Sequence, residues 1–219
     1  MEIPDDGIQP QAAVDNDGAI HLIYFKGEAA EGDLFYSKLA PGSDSFGAPM
    51  RVNSTEGSAM AIGTIRGAHL ALGKGDQIHV AWMGSGRTAS PAKDGGHPRH
   101  PMLYTRLKPD GTGFEPERNL MTRTWELDGG GSVAADASGN VYVAWHGRES
   151  GAIEGEAGRA VYVAVSRDDG RTFASEIRAN PEPTGTCGCC GMRAYVDDAD
   201  RLHLSYRAAN SVTRDMTLL

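Results

Sequence analysis

Three cysteines among 219 residues, all inside the window Cys187-Gly188-Cys189-Cys190, exclude a disulfide framework spread through the chain. No apolar run approaches the roughly 20 residues of a membrane-spanning helix. Met1-Glu2-Ile3-Pro4-Asp5-Asp6 has neither the basic start nor the apolar stretch of a signal peptide, so the visible sequence names no compartment. Basic residues are outnumbered, 21 Lys and Arg against 29 Asp and Glu, and they are scattered rather than clustered. That balance excludes nucleic acid and anionic membrane as expected partners. No long run carries apolar residues at helical spacing, which leaves strands and turns.

What the chain has is a repeat. Four segments align without gaps: 13–24, 72–82, 135–145 and 196–206. Each reads as a strand, a polar turn and a second strand closed by Tyr24, Trp82, Trp145 or Tyr206. The spacing of about sixty residues lies somewhat above that of common propeller repeats. Third strands are predicted at 32–37, 101–106 and 160–165, and fourth strands at 46–52, 114–120 and 173–178. Four short strands per unit, with turn signals between them, predict an all-β propeller rather than a sandwich. Units are expected at about 8–54, 66–121, 130–180 and 190–219, within one domain spanning 1–219.

The segment Ser166-Arg167-Asp168-Asp169-Gly170-Arg171-Thr172-Phe173 fits the Asp-box pattern Ser-x-Asp-x-Gly-x-Thr-aromatic and follows a strand-like run. Asp168 can accept the turn's backbone hydrogens, Gly170 permits positive φ, and Phe173 can pack back under the sheet. The turns at 41–46 and 109–114 keep this chemistry in degenerate form. With the repeat around it, the box makes the chain resemble the sialidase-like (BNR, Asp-box repeat) β-propellers, bacterial exo-sialidase-like proteins among them. The resemblance implies a four-stranded blade architecture, a glycan or small anionic ligand, and an extracellular or periplasmic setting. Residues 214–219 align with 159–164, so the last unit is expected to be incomplete. The expectation is about three and a half blades of a six-bladed parent, with open blade edges that would support self-association.

In a propeller the inner strand begins, and the second strand ends, at the same mouth. The register places Gln11, His69, Ser132, Arg193, Phe25, Met83, His146 and Arg207 there. His69, His146, Arg193 and Arg207, with Arg66, are the candidate ligand-binding residues. Guanidinium forks suit carboxylates, and imidazole exchanges protons near neutral pH. Two loops, 84–100 and 147–159, should overhang the mouth; Asp94, Glu149 and Glu154 are their candidate catalytic acids. The resemblance to sialidases also implies an Arg-x-Pro motif at the start of the first blade; that place reads Ile8-Gln9-Pro10-Gln11 here, which counts against a sialidase activity.

Cys187, Cys189 and Cys190 fall in the loop leading to the fourth inner strand, hence at the same mouth. Three thiols with intervening glycines can bind zinc or copper, form a Cys187–Cys190 or Cys187–Cys189 disulfide, or pack as small hydrophobes; the sequence leaves these open. A metal-binding or redox propeller and a non-catalytic protein-binding scaffold therefore stand beside the glycan reading. Gly129-Gly130-Gly131 predicts close backbone approach rather than a phosphate cradle, because no lysine or helix follows it. Residues 58–67 are expected to form a buried linker.

Overall fold

The computed structural model describes residues 2–63, 66–91, 99–180, 184–209 and 215–219. Among the described residues, fifteen strands form four antiparallel sheets. The first holds β1 (Ile8–Val14), β2 (Ile20–Glu28), β3 (Glu31–Leu39) and β4 (Met50–Arg51). The second holds β5 (His69–Leu72), β6 (Ile78–Met83), β7 (Met102–Arg106) and β8 (Arg118–Asn119). The third holds β9 (Ser132–Ala135), β10 (Val141–Gly147), β11 (Ala160–Ser166) and β12 (Ile177–Arg178). The fourth holds β13 (Arg193–Val196), β14 (Leu202–Arg207) and β15 (Met216–Leu218). Each sheet is ordered as the chain runs, and the first strands β1, β5, β9 and β13 approach one another in turn. Four sheets fanned about their first strands make a partial β-propeller. No helix of the described residues is long and apolar enough to cross a membrane.

The outer strands are shorter than expected, two residues each at β4, β8 and β12. Pro49 and Pro116 precede the first two of these and have no N–H for a ladder. The core lies between sheets. Phe25, Leu34, Trp82 and Leu103 fill the space between the first and second, and Met102, Tyr104, Trp145 and Tyr162 that between the second and third. Met192, Leu204 and Tyr206 pack on Ala144 and Val161 between the third and fourth. Both faces of a central strand are therefore buried, which is why β6 and β10 read as nearly continuous apolar runs.

The turn from Ser166 to Phe173 forms as its residues dictate. Thr172 donates its N–H to Asp168 Oδ1 at 2.8 Å and its hydroxyl to Oδ2 at 2.7 Å, and the Gly170 N–H reaches Ser166 Oγ at 2.9 Å. Gly170 takes φ +75°, and Phe173 packs edge-on to Tyr104. The linker is buried from Ser58 to Ala61, where Ala59 exchanges backbone hydrogen bonds with Gly32; Ile62 is exposed, and Thr64 and Ile65 lie outside the described residues. At Gly131 an added Cβ would stand 2.5 Å from the Ala144 carbonyl oxygen, so that glycine marks a close approach.

Candidate functional site

The ends of the sheets where β5, β9 and β13 begin and β14 finishes carry the ionisable residues. Arg193, the first residue of β13, donates from Nη1 to His69 Nε2 at 3.1 Å and to the Met192 carbonyl at 2.9 Å. His69, the first residue of β5, is 5% exposed. Burial, reinforced by the Arg193 charge, holds its pKa down to about 3, so the ring is neutral and accepts at Nε2. Among the described residues no carboxylate pairs with Arg193, which is itself exposed. A cleft of about 450 Å³ opens beside it, lined by Gln9, Gln11, Gly67, His69, Gly191 and Arg193. Gln9 sits at φ +50° with its amide nitrogen spent on the Ala61 and Gly63 carbonyls.

Beside this pair lies a second group. Arg66 donates to Asp128 Oδ1 at 2.9 Å, and Arg159 approaches Asp128 Oδ2 at 3.8 Å. His146 is 2% exposed, and neither imidazole nitrogen has a partner in another described residue. Burial brings its pKa down to about 4. It shares the face of β10 that carries Ala144 against Met192, so it supports the mouth from beneath.

The cysteine loop completes the mouth. Its backbone is tied by Thr186 N–H to the Glu156 carbonyl at 3.1 Å and by Cys187 N–H to the Arg207 carbonyl at 2.9 Å. Cys190 N–H returns to the Cys187 carbonyl at 3.3 Å, closing a tight turn. The three sulfurs stand as thiols, Cys187 buried, Cys190 half-buried and Cys189 exposed. Cys187 Sγ lies 2.8 Å from Cys190 Sγ and 3.4 Å from Cys189 Sγ. Arg207 Nη1 donates to Cys190 Sγ at 3.5 Å. Burial and hydrogen bonding to the neighbouring sulfurs push the Cys187 thiol up to about 12. For Cys190 burial works the same way, but hydrogen bonds from Cys187 and Arg207 carry its thiol below the ordinary value. A Cβ on Gly188 would stand 2.3 Å from the Arg159 guanidinium and 3.1 Å from Asp128 Oδ2, so the loop backbone lies directly against the Arg159–Asp128 pair.

The structure thus gathers Arg66, His69, His146, Arg193, Arg207 and the three cysteines at one end of the molecule. Of the other mouth positions, Phe25, Met83 and Ser132 are buried and Gln11 is partly open. Ser132 Oγ accepts the Ala194 N–H, joining the third and fourth sheets. Of the candidate acids, Glu149 is engaged by Arg123 at 2.6 Å, Glu154 is exposed, and Asp94 lies outside the described residues. Asp128 and Arg159 were not singled out from the sequence. The available signal was position: Asp128 stands just before β9, as Arg66 does before β5 and the cysteines before β13.

No family model matches the chain, and no curated protein matches it significantly. Among solved structures, a Hadza microbial sialidase superposes with a TM-score of 0.57 at 15% identity, over 96% of this chain and 44% of its own. A mutant of NanB sialidase from Streptococcus pneumoniae gives 0.55 at 10% identity, over 95% of this chain and 29% of its own. A polysaccharide lyase described as an ulvan lyase gives 0.51 at 13% identity, over 98% and 55%. This chain spans about half the length of those proteins or less. Likeness at such identities establishes the fold, a sialidase-like β-propeller present as part of a ring.

Proposed function

We propose that the chain recognises an acidic glycan, or a small ligand with the same anionic group, in the cleft beside Arg193. The observation that carries this reading is the Arg193 guanidinium itself. It is held by a neutral imidazole and a carbonyl, it faces a cleft, and no described carboxylate neutralises it. A guanidinium fork left in this state matches a carboxylate or sulfate, and the charge-assisted bonds so formed are the strong ones. Gln11, which also lines the cleft, offers a neutral donor and acceptor for hydroxyl groups. The solved structures of similar fold include two sialidases and a polysaccharide lyase, which supports a carbohydrate as the carrier of that anion.

The reading stops at recognition. Glu149 is committed to Arg123, and among the described residues no carboxylate contacts Arg193, so no proton donor is assigned. The four sheets act as one unit, with the cleft lined from the first, second and fourth. Calorimetric titration against matched acidic and neutral oligosaccharides tests the proposal. Acidic members should bind, with affinity falling as salt rises; equal binding of neutral and acidic members would refute it.

A further inference from the structure

We propose that Cys187, Cys189 and Cys190 form a three-thiolate site for one zinc ion, with the fourth coordination position left to an external ligand. The inference does not rest on the anion reading, since it uses a different set of side chains.

Geometry supplies the first argument. The three sulfurs all lie within 4.8 Å of one another. Thiolates about 2.3 Å from a shared zinc stand no more than about 4.6 Å apart, so small side-chain rotations bring this set onto one ion. Cys187 and Cys190, 2.8 Å apart, would separate by about 1 Å to span the edge of a zinc tetrahedron.

The backbone supplies the second. The sulfurs converge because the chain is already folded around them. The Cys190 N–H to Cys187 carbonyl bond closes the turn, and the Cys187 N–H to Arg207 carbonyl bond fixes the turn to the end of β14. The Gly188 backbone lies against Arg159 and Asp128. A ligand set positioned by main-chain bonds loses little conformational entropy on binding.

Charge supplies the third. Three thiolates and one Zn²⁺ carry a net single negative charge. Arg207, with Nη1 3.5 Å from Cys190 Sγ, provides one compensating positive charge. Zinc with three protein ligands and one open position is the arrangement of reactive rather than purely structural sites. The exposed Cys189 places that position within reach of solvent.

The full chain, reduced with a phosphine rather than a thiol, should be titrated with Zn²⁺ against a chromophoric chelator, and separately with Co²⁺. One equivalent of zinc is expected, and Co²⁺ should produce thiolate charge-transfer absorption with the intense visible bands of tetrahedral coordination. Cys189→Ala, at an exposed position that the fold tolerates, should weaken metal binding at least about tenfold, in line with loss of a ligand. Arg207→Gln should weaken it less and keep the stoichiometry, and Arg193→Gln should leave it unchanged. Failure of the reduced chain to bind either ion would overturn the site. So would undiminished binding by Cys189→Ala together with the Cys187→Ser/Cys190→Ser double variant. Mass spectrometry that finds Cys187 and Cys190 bridged in the native protein, with no metal taken up after reduction, would assign the loop to a disulfide instead.

Discussion

At the scale of single residues, burial keeps three imidazoles from taking up a proton, His69 and His146 at the mouth and His79 at the opposite end of β6 beside the Asp-box turn. Burial holds His69 and His79 down to about 3 and His146 to about 4, from an ordinary value of 6.5. The unfolded chain takes up these protons as pH falls below 6.5 while the native state refuses them. Their stabilising contribution is therefore complete above 6.5 and is lost progressively on acidification towards 4 and 3. One histidine kept neutral costs about 2 kcal/mol of stability between pH 6.5 and about pH 5. Urea unfolding at those two pH values should show this loss, and His146→Leu should recover about 2 kcal/mol of the difference whatever its effect at neutral pH. A pH dependence identical to wild type would mean that His146 titrates in the folded protein.

The positions of these residues were legible in the sequence and their depth was not. The aligned strand–turn–strand segments put His69, His146, Arg193 and Arg207 at one end, where they are found. They could not separate the buried His146 from the half-exposed Arg207. Trp145 and His146 point to opposite faces of β10, and both faces are covered by neighbouring sheets, so alternation carries no signal of burial. Asp128 escaped notice for a related reason. A lone carboxylate before a glycine run reads as a turn residue until Arg66 and Arg159 are seen to converge on it.

At the scale of elements, the sheets are joined by more than apolar packing. Glu176, next to β12 and fully buried, accepts N–H groups of Thr122, Arg123 and Thr124 and the hydroxyls of Thr122 and Thr124. Burial alone would raise its pKa, but these donors bring it down to about 2. One repeat earlier, Glu117 beside β8 grips Ser54 and Thr55 in the same way, and it too is held at about 2. Each carboxylate thus clasps the segment that follows the outer strand of the preceding sheet. Both glutamates fall inside the strands predicted at 114–120 and 173–178, and nothing in their local sequence names the segment that each clasps. Glu176→Ala strands several buried donors and should cost about 3 kcal/mol or more in urea unfolding. Glu117→Ala, at a half-buried position, should cost less. A change below about 0.5 kcal/mol for Glu176→Ala would remove the clasp from the account of how the sheets adhere.

At the scale of the whole molecule, the repeat, the turn residues and the closing aromatics made the fold readable. Propeller sheets are local meanders, so each strand's partner lies next to it in sequence. The mouth is different in kind, because it is assembled from Gln11, His69, Arg193 and the cysteine loop, residues drawn from separate sheets. Their side-chain contacts depend on how the sheets fan about β1, β5, β9 and β13. That assembly makes Arg193 the test of the functional account. The measurement is the affinity of wild type and Arg193→Gln for the tightest acidic oligosaccharide, by calorimetry at moderate ionic strength, with unfolding curves confirming that the variant is folded. Loss of a charge-assisted pair predicts about 10- to 100-fold weaker binding. An unchanged affinity would contradict the account and move the anion site away from the Arg193 cleft.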